Sequence, residues 1–237
     1  MNVAEAVGRS LAAHGVDHVF GVVGSGNFHV TNALIATGAR FFAAAHEAGA
    51  ATMADGYARV SGRLPAVSVH QGPGVTNALT GIVEAAKSRT PMVVLAPEAT
   101  SARSNFFIDL PGIAAAAGAG FRRVTADRVA ADVAEACRSA IAGAGQTVIL
   151  GLPLDVQGQP AGDVAAWPVE PASEPAVPEV GRLVEALAAA RRPVFIAGRG
   201  ATRRASQARA QLTALADRCG ALLAVSAAAK GLFAGDP

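Results

Sequence analysis

Cysteine, tyrosine and tryptophan are almost missing from this chain of 237 residues, which holds two cysteines, one tyrosine and one tryptophan. Cys137 and Cys219 stand far apart without a CxxC or Cys/His spacing, so neither a disulfide framework nor a zinc site is indicated. Charge is sparse too. Only 16% of residues are charged, the formal net charge is +2, and Arg and Lys form no long run, a pattern that speaks against a nucleic-acid partner. The N-terminus lacks the basic segment followed by an apolar one that marks a secretory signal. Pro111 to Phe121 is uncharged and rich in glycine and alanine, yet well short of the roughly 20 apolar residues that cross a bilayer. The expectation is a cytoplasmic protein with no membrane association. What the chain does have is small and apolar: hydrophobic residues make up 51% and glycine occupies 26 positions, ample for a core in one or two globular domains.

Taken in order, strand patterns alternate with helical ones. Val3 to Ala13 repeats apolar residues at helical spacing, with Glu5 and Arg9 four apart as a supporting pair and Gly15 as a stop. His18 to Val23 reads as a strand that empties into Gly24-Ser25-Gly26-Asn27, and a helical pattern follows from Phe28 to Thr37. Phe41 to Ala45 is a second short strand; it stops at His46-Glu47, and a helix rich in small residues, Ala48 to Arg59, begins at once. A third strand, Pro65 to Val69, runs into His70-Gln71-Gly72-Pro73-Gly74, with a helix from Asn77 to Ser88 and a fourth strand at Pro91 to Ala96. Glu98 to Gly120, with its Phe106-Phe107 pair, reads as a surface loop or a flap. Phe121 to Thr125, a helix from Arg128 to Ala142 with Asp127 as its cap, and Thr147 to Leu152 complete the set.

This order predicts an α/β fold: a doubly wound, mainly parallel six-stranded sheet with helices on both faces, over residues 1–160. Six prolines between Pro153 and Pro178 predict a linker over 161–178. Residues 179–237 hold a helix, a strand at Pro193 to Ala197, a helix reaching Arg218 and a strand near Leu222 to Val225, too little to close a doubly wound sheet. The second α/β domain is therefore expected to be incomplete.

Three successive strand ends carry Gly24-Ser25, Glu47, and His70 to Gly74. In a parallel sheet these turns share the carboxyl edge, where ligands of such folds bind. Each has a plainer reading: a turn that needs glycine, a glutamate capping its helix, a packed histidine. The glycine motifs do not make a dinucleotide fingerprint, because His29 and Arg203 occupy the third glycine's place after Gly24 and Gly198.

Three stretches resemble the acetolactate synthase-like family of thiamine diphosphate enzymes: Val19 to Gly24; His46-Glu47 with Ala54-Asp55-Gly56-Tyr57-Ala58-Arg59; and Gly72-Pro73-Gly74 with Asn77. Leu152 to Val156 is similar to the closing strand of the family's pyrimidine-binding domain, and Lys230-Gly231 resembles a stretch of its central domain. The resemblance implies that Glu47 hydrogen-bonds the coenzyme's aminopyrimidine ring, shifting it to the imino tautomer whose nitrogen deprotonates the thiazolium carbon. Val23, Gly24, Glu47, Pro73 and Asn77 are then the cofactor-binding positions, and Ser25, His70 and Gln71 the substrate positions, with Glu47 and His70 catalytic. The implied substrate is a small 2-oxo acid, and the implied reaction is that of a lyase or carboligase. His70-Gln71 replaces the threonine-serine pair usual before Gly-Pro-Gly in the synthases, and Val23 stands where proline is common. Benzoylformate decarboxylase is similar at two of these places, with a serine like Ser25 and a histidine like His70 facing the substrate, so a simple decarboxylase is an alternative. A catalytically silent binding or regulatory subunit is another.

The family holds magnesium and the diphosphate on a third domain, through Gly-Asp-Gly followed by Asn, and Gly-Asp-Gly does not occur in these residues. No metal ligand is assigned to this chain. The expected arrangement is a homo-oligomer, a dimer by the family's geometry, or a partner chain that carries the diphosphate-binding domain.

Overall fold

The computed structural model describes residues 1–162 and 178–235 and divides into two compact units, Met1–Ser173 and Glu174–Pro237. The linker expected over 161–178 lies, apart from its ends, outside the described residues.

The first unit is a six-stranded sheet of β1 (His18–Gly21), β2 (Arg40–Ala43), β3 (Ala66–Ser68), β4 (Met92–Glu98), β5 (Gly120–Arg123) and β6 (Thr147–Pro153). Every pairing is parallel, in the order β2-β1-β3-β4-β6-β5. Side chains alternate across a strand, so a sheet covered on both faces must be apolar at every position, and β4 and β6 are buried throughout their length. Val93 and Leu95 join Val148, Leu150 and Leu152 in one core, while Met92, Val94 and Ala96 join Ile149 in the other. The first core is closed by α1 (Val3–Ala13), α2 (Phe28–Ala36) and α6 (Val129–Ile141), the second by α3 (Glu47–Ser61), α4 (Pro73–Lys87) and α5 (Leu110–Ala117).

Small residues set how closely these helices approach. A Cβ on Gly81 of α4 would stand 2.5 Å from the Ala51 Cβ of α3. Asp55, buried in α3, accepts hydrogen bonds from Arg59 Nε at 2.8 Å and from the Thr90 hydroxyl at 2.6 Å, tying that helix to the start of β4. After β6 a short α7 (Leu154–Gln157) turns the chain back to its own beginning, where Val3 N–H donates to the Gln159 carbonyl at 3.0 Å.

Several local expectations change. The stretch read as a loop or flap contains α5, capped by the Asp109 side chain on Gly112 N–H at 3.0 Å, opened by Pro111 in its first turn and ended by left-handed Gly118. Helix α4 starts at Pro73, four residues earlier than expected, because proline pre-sets the first helical φ. Asp127 does not cap α6; the cap position is Arg128, and Asp132 instead accepts from the Thr125 N–H and hydroxyl, both at 3.0 Å. Glu5 serves a capping box with Asn2 at the start of α1.

The second unit contains α8 (Gly181–Ala189), β7 (Val194–Ala197), α9 (Arg199–Thr202), α10 (Ala205–Cys219) and β8 (Leu222–Val225), with β7 and β8 paired in parallel. Ile196 and Leu222 of this two-stranded sheet are 71% and 70% exposed, the state of a sheet without its remaining layers. Among the described residues no helix is long and apolar enough to cross a membrane.

Candidate active site

The sheet order makes β2, β1 and β3 neighbours, so the ends of the first three strands lie side by side. From β1 the chain goes to β2 on one side and then crosses to β3 on the other, which opens a crevice between the carboxyl ends of β1 and β3.

On the β1 side the Gly24–Asn27 turn is held by the fully buried Asn27. Its Oδ1 accepts from Gly24 N–H at 2.7 Å, and its Nδ2 donates to the Val22 carbonyl at 3.1 Å and to Ser68 Oγ at 2.9 Å. Thr31 Oγ1 donates to the Asn27 carbonyl and lies 2.7 Å from Ser68 Oγ, which leaves every group of this buried chain partnered. The turn is thereby fastened to the last residue of β3.

On the β3 side, His70 and Gln71 reach back across the crevice. Gly26 N–H donates to His70 Nδ1 at 3.3 Å. A Cβ on Gly24 would come within 2.7 Å of that nitrogen, and one on Gly26 would overlap Gln71 Oε1 at 1.7 Å. The glycines are a seat for these two side chains. Gln71 is 5% exposed, and its Oε1 has no hydrogen-bond partner. Gly72 follows with φ 60° and ψ −108°, a backbone that side chains rarely adopt, and its α-carbon faces the Phe106 carbonyl. The Phe106 ring meets His70 edge-on, with centroids 5.4 Å apart.

Glu47 is the first residue of α3, not its cap. The cap is His46, whose ring accepts from Ala48 N–H at 3.1 Å. The Glu47 carboxylate turns instead toward α4, where Oε2 accepts from Asn77 Nδ2 at 3.1 Å and Oε1 stands 3.4 Å from where a Cβ on Gly74 would be. The same Gly74 position lies 3.0 Å from His70 Cβ. Gly24, His70, Gly74, Glu47 and Asn77 thus form one continuous line of contacts. Val23 and Ser25 are exposed in the β1 turn, and Pro73 is exposed at the start of α4, beside the buried Gly72 and Gly74.

Further along the same edge, Glu98 at the end of β4 is buried and accepts from Arg123 Nε at 2.7 Å and Nη2 at 2.6 Å. That pairing holds the Arg123 guanidinium above its ordinary range despite partial desolvation. Asn27, Thr31 and Ser68 are supporting residues to which the sequence pattern assigns no role, and Phe106 belongs to the segment read as a surface loop or a flap. Asn27 carried a signal, since asparagine after glycine is turn chemistry; Ser68 and Phe106 act only through contacts distant in sequence.

The first 109 residues match the family model described as "Thiamine pyrophosphate enzyme, N-terminal TPP binding domain", and residues 180–237 match "Thiamine pyrophosphate enzyme, central domain". The whole chain aligns at 34% identity with 44% of the probable 2-ketoarginine decarboxylase of Pseudomonas aeruginosa. Sulfoacetaldehyde acetyltransferase of Rhodobacter capsulatus is 40% identical over 43% of this chain and 17% of its own length. Among solved structures, the thiamine diphosphate-dependent 4-hydroxybenzoylformate decarboxylase of Rhodococcus jostii superposes with a TM-score of 0.79 at 24% identity, over 95% of this chain and 44% of that one. The chain spans less than half the length of these relatives. It belongs to the thiamine pyrophosphate enzymes, carrying their N-terminal TPP-binding domain and part of their central domain.

Proposed function

We propose that the complete protein is a thiamine diphosphate-dependent lyase or carboligase acting on 2-oxo acids, and that this chain supplies its pyrimidine-binding half. The observation that carries the reading is Glu47: a carboxylate on the first turn of α3, at the carboxyl edge of the sheet, with one oxygen engaged by Asn77 and the other over glycine. The residues fit the pyrimidine end of the cofactor, because Gly74 leaves the space in front of Oε1 that any other residue's Cβ would enter. Val23, Gly24, Pro73 and Asn77 would bind the ring, and Glu47 would share a proton with one of its nitrogens. When bound, thiamine diphosphate supplies a nucleophilic carbon that adds to a 2-oxo acid carbonyl and takes up the electron pair released with carbon dioxide. The diphosphate and magnesium would be held by a domain supplied by another copy or a partner chain.

The placement of His70 across the crevice, with Ser25 exposed in the facing turn, favours decarboxylation as the simplest reaction, since both can face a substrate carboxylate. Glu47→Gln, made in the enzyme completed by its diphosphate-binding domain, is expected to abolish turnover with an unchanged circular dichroism spectrum. Full activity in that variant would refute the mechanism. No turnover by the wild-type assembly with any 2-oxo acid would point to the silent-subunit alternative.

A further inference from the structure

The Gly26–His70 hydrogen bond decides which proton His70 carries. A neutral imidazole has one N–H donor and one acceptor nitrogen, and the bond made by one nitrogen sets the role of the other. Gly26 N–H is a donor, so the Nδ1 it meets at 3.3 Å is the acceptor, and the proton of the neutral ring resides on Nε2. The ring is held in this setting from three directions. The Gly24 backbone lies against its Nδ1 edge, Gly74 against its Cβ, and the Phe106 ring edge-on against it. Turning the ring over would place a carbon opposite Gly26 N–H and forfeit the bond. No group among the described residues engages Nε2, which leaves its N–H free for a ligand.

We propose that His70 acts as a fixed, neutral Nε2–H donor to an anionic oxygen of the substrate, and not as a proton carrier. Gly26 is its positioning residue. The substrate part rests on the functional reading above; the tautomer does not. In this setting no proton is transferred: Nε2 keeps its hydrogen and lends it to a hydrogen bond, and the Nδ1 lone pair is already occupied. Gln71 explains why position 26 must be glycine, since its buried Oε1 fills the space where a Cβ would stand. His70, Gln71 and the two glycines of the β1 turn therefore form one unit, in which the pair following β3 requires the bare backbone following β1.

The direct test is long-range proton–nitrogen NMR on this chain with labelled histidine, the His70 signals being those lost in His70→Gln. The expected result is a single Nε2–H tautomer for His70, together with a shift of the Gly26 amide proton when His70 is replaced. An Nδ1–H tautomer, or a mixture of the two, would overturn the proposal. In the enzyme completed by its diphosphate-binding domain, His70→Leu should lose roughly a hundred- to a thousandfold in kcat/KM, the usual cost of removing one donor to a negative charge that develops in the reaction. His70→Gln, which keeps an N–H donor and cannot titrate, should stay within about tenfold of wild type. Equal losses in both would refute the donor role and indicate proton transfer. Because the tautomer is measured without cofactor or substrate, its failure leaves the thiamine diphosphate reading untouched. An assembly inactive toward every 2-oxo acid would overturn that reading, and with it the substrate oxygen, while the tautomer stood.

Discussion

Replacing Gly72 by alanine tests the architecture of the site on the chain itself. Gly72 precedes α4 with φ 60° and ψ −108°, and a Cβ there would lie 2.8 Å from the Phe106 carbonyl oxygen and 3.1 Å from the Phe106 Cα. Two penalties therefore add. A non-glycine residue held in a sparsely populated backbone region costs about 1–3 kcal/mol. The contact is with backbone, so the Phe106 segment must move, which also withdraws the ring that faces His70. Against this, alanine narrows the unfolded ensemble by about 0.4–1 kcal/mol. The expected net loss is about 2–4 kcal/mol.

Gly62→Ala is the control. Gly62 has φ 69° and ψ 8°, and a Cβ there would meet nothing within 4 Å, so only the left-handed penalty of about 1–2 kcal/mol applies, less the same unfolded-state term. Urea unfolding followed by far-UV circular dichroism measures both. Hydrogen exchange at Phe106 and Phe107, whose amides bond to Ser104, should accelerate in Gly72→Ala alone. If the two variants fall within about 0.5 kcal/mol of each other, the Phe106 contact carries no energy and the packing of that segment over the site is refuted.

Two further outcomes concern the scaffold. Arg123→Ala should cost about 2–3 kcal/mol in urea unfolding, because it strands the buried Glu98 carboxylate; the value sits below that of a wholly buried pair because the Arg123 side chain is 46% exposed. Adding Glu98→Gln should recover more than half of the loss, and no recovery would mean the arginine acts by packing alone. Burial pushes the Cys137 thiol up to about 12 from 9.0. In a Cys219→Ser background it should react with a thiol reagent near pH 8 only as fast as the chain unfolds. The linked stability is whole below pH 9, where neither state ionises, and is lost as pH rises from 9 toward 12, since the unfolded thiol ionises first. Rapid labelling of the native chain would show that Cys137 is reached by local opening.

What the sequence determined by itself was whatever depends on neighbours along the chain. Apolar runs of strand length, the glycine turns after Val23 and Gln71, and the small residues from Ala48 to Arg59 each state a local dihedral or burial preference, and the elements formed where those preferences predicted. The residues at strand ends were legible for the same reason: a strand followed at once by a helix puts Glu47 at the junction wherever the strand goes. Even so, α5 was hidden in a segment whose two phenylalanines outweighed its Asp109 cap and Gly118 stop.

Only the tertiary structure decided which junctions touch. His70 meets Gly26 across 44 positions and Glu47 meets Asn77 across 30, and neither meeting follows from spacing. Both follow from the strand order β2-β1-β3, which the packing of helices on two faces selects and no local preference encodes. The same is true of Asn27, Thr31 and Ser68. In sequence they are a turn residue, a helix residue and a strand residue; in the fold they are one buried hydrogen-bonded chain, because burying any of them alone would leave a polar group without a partner.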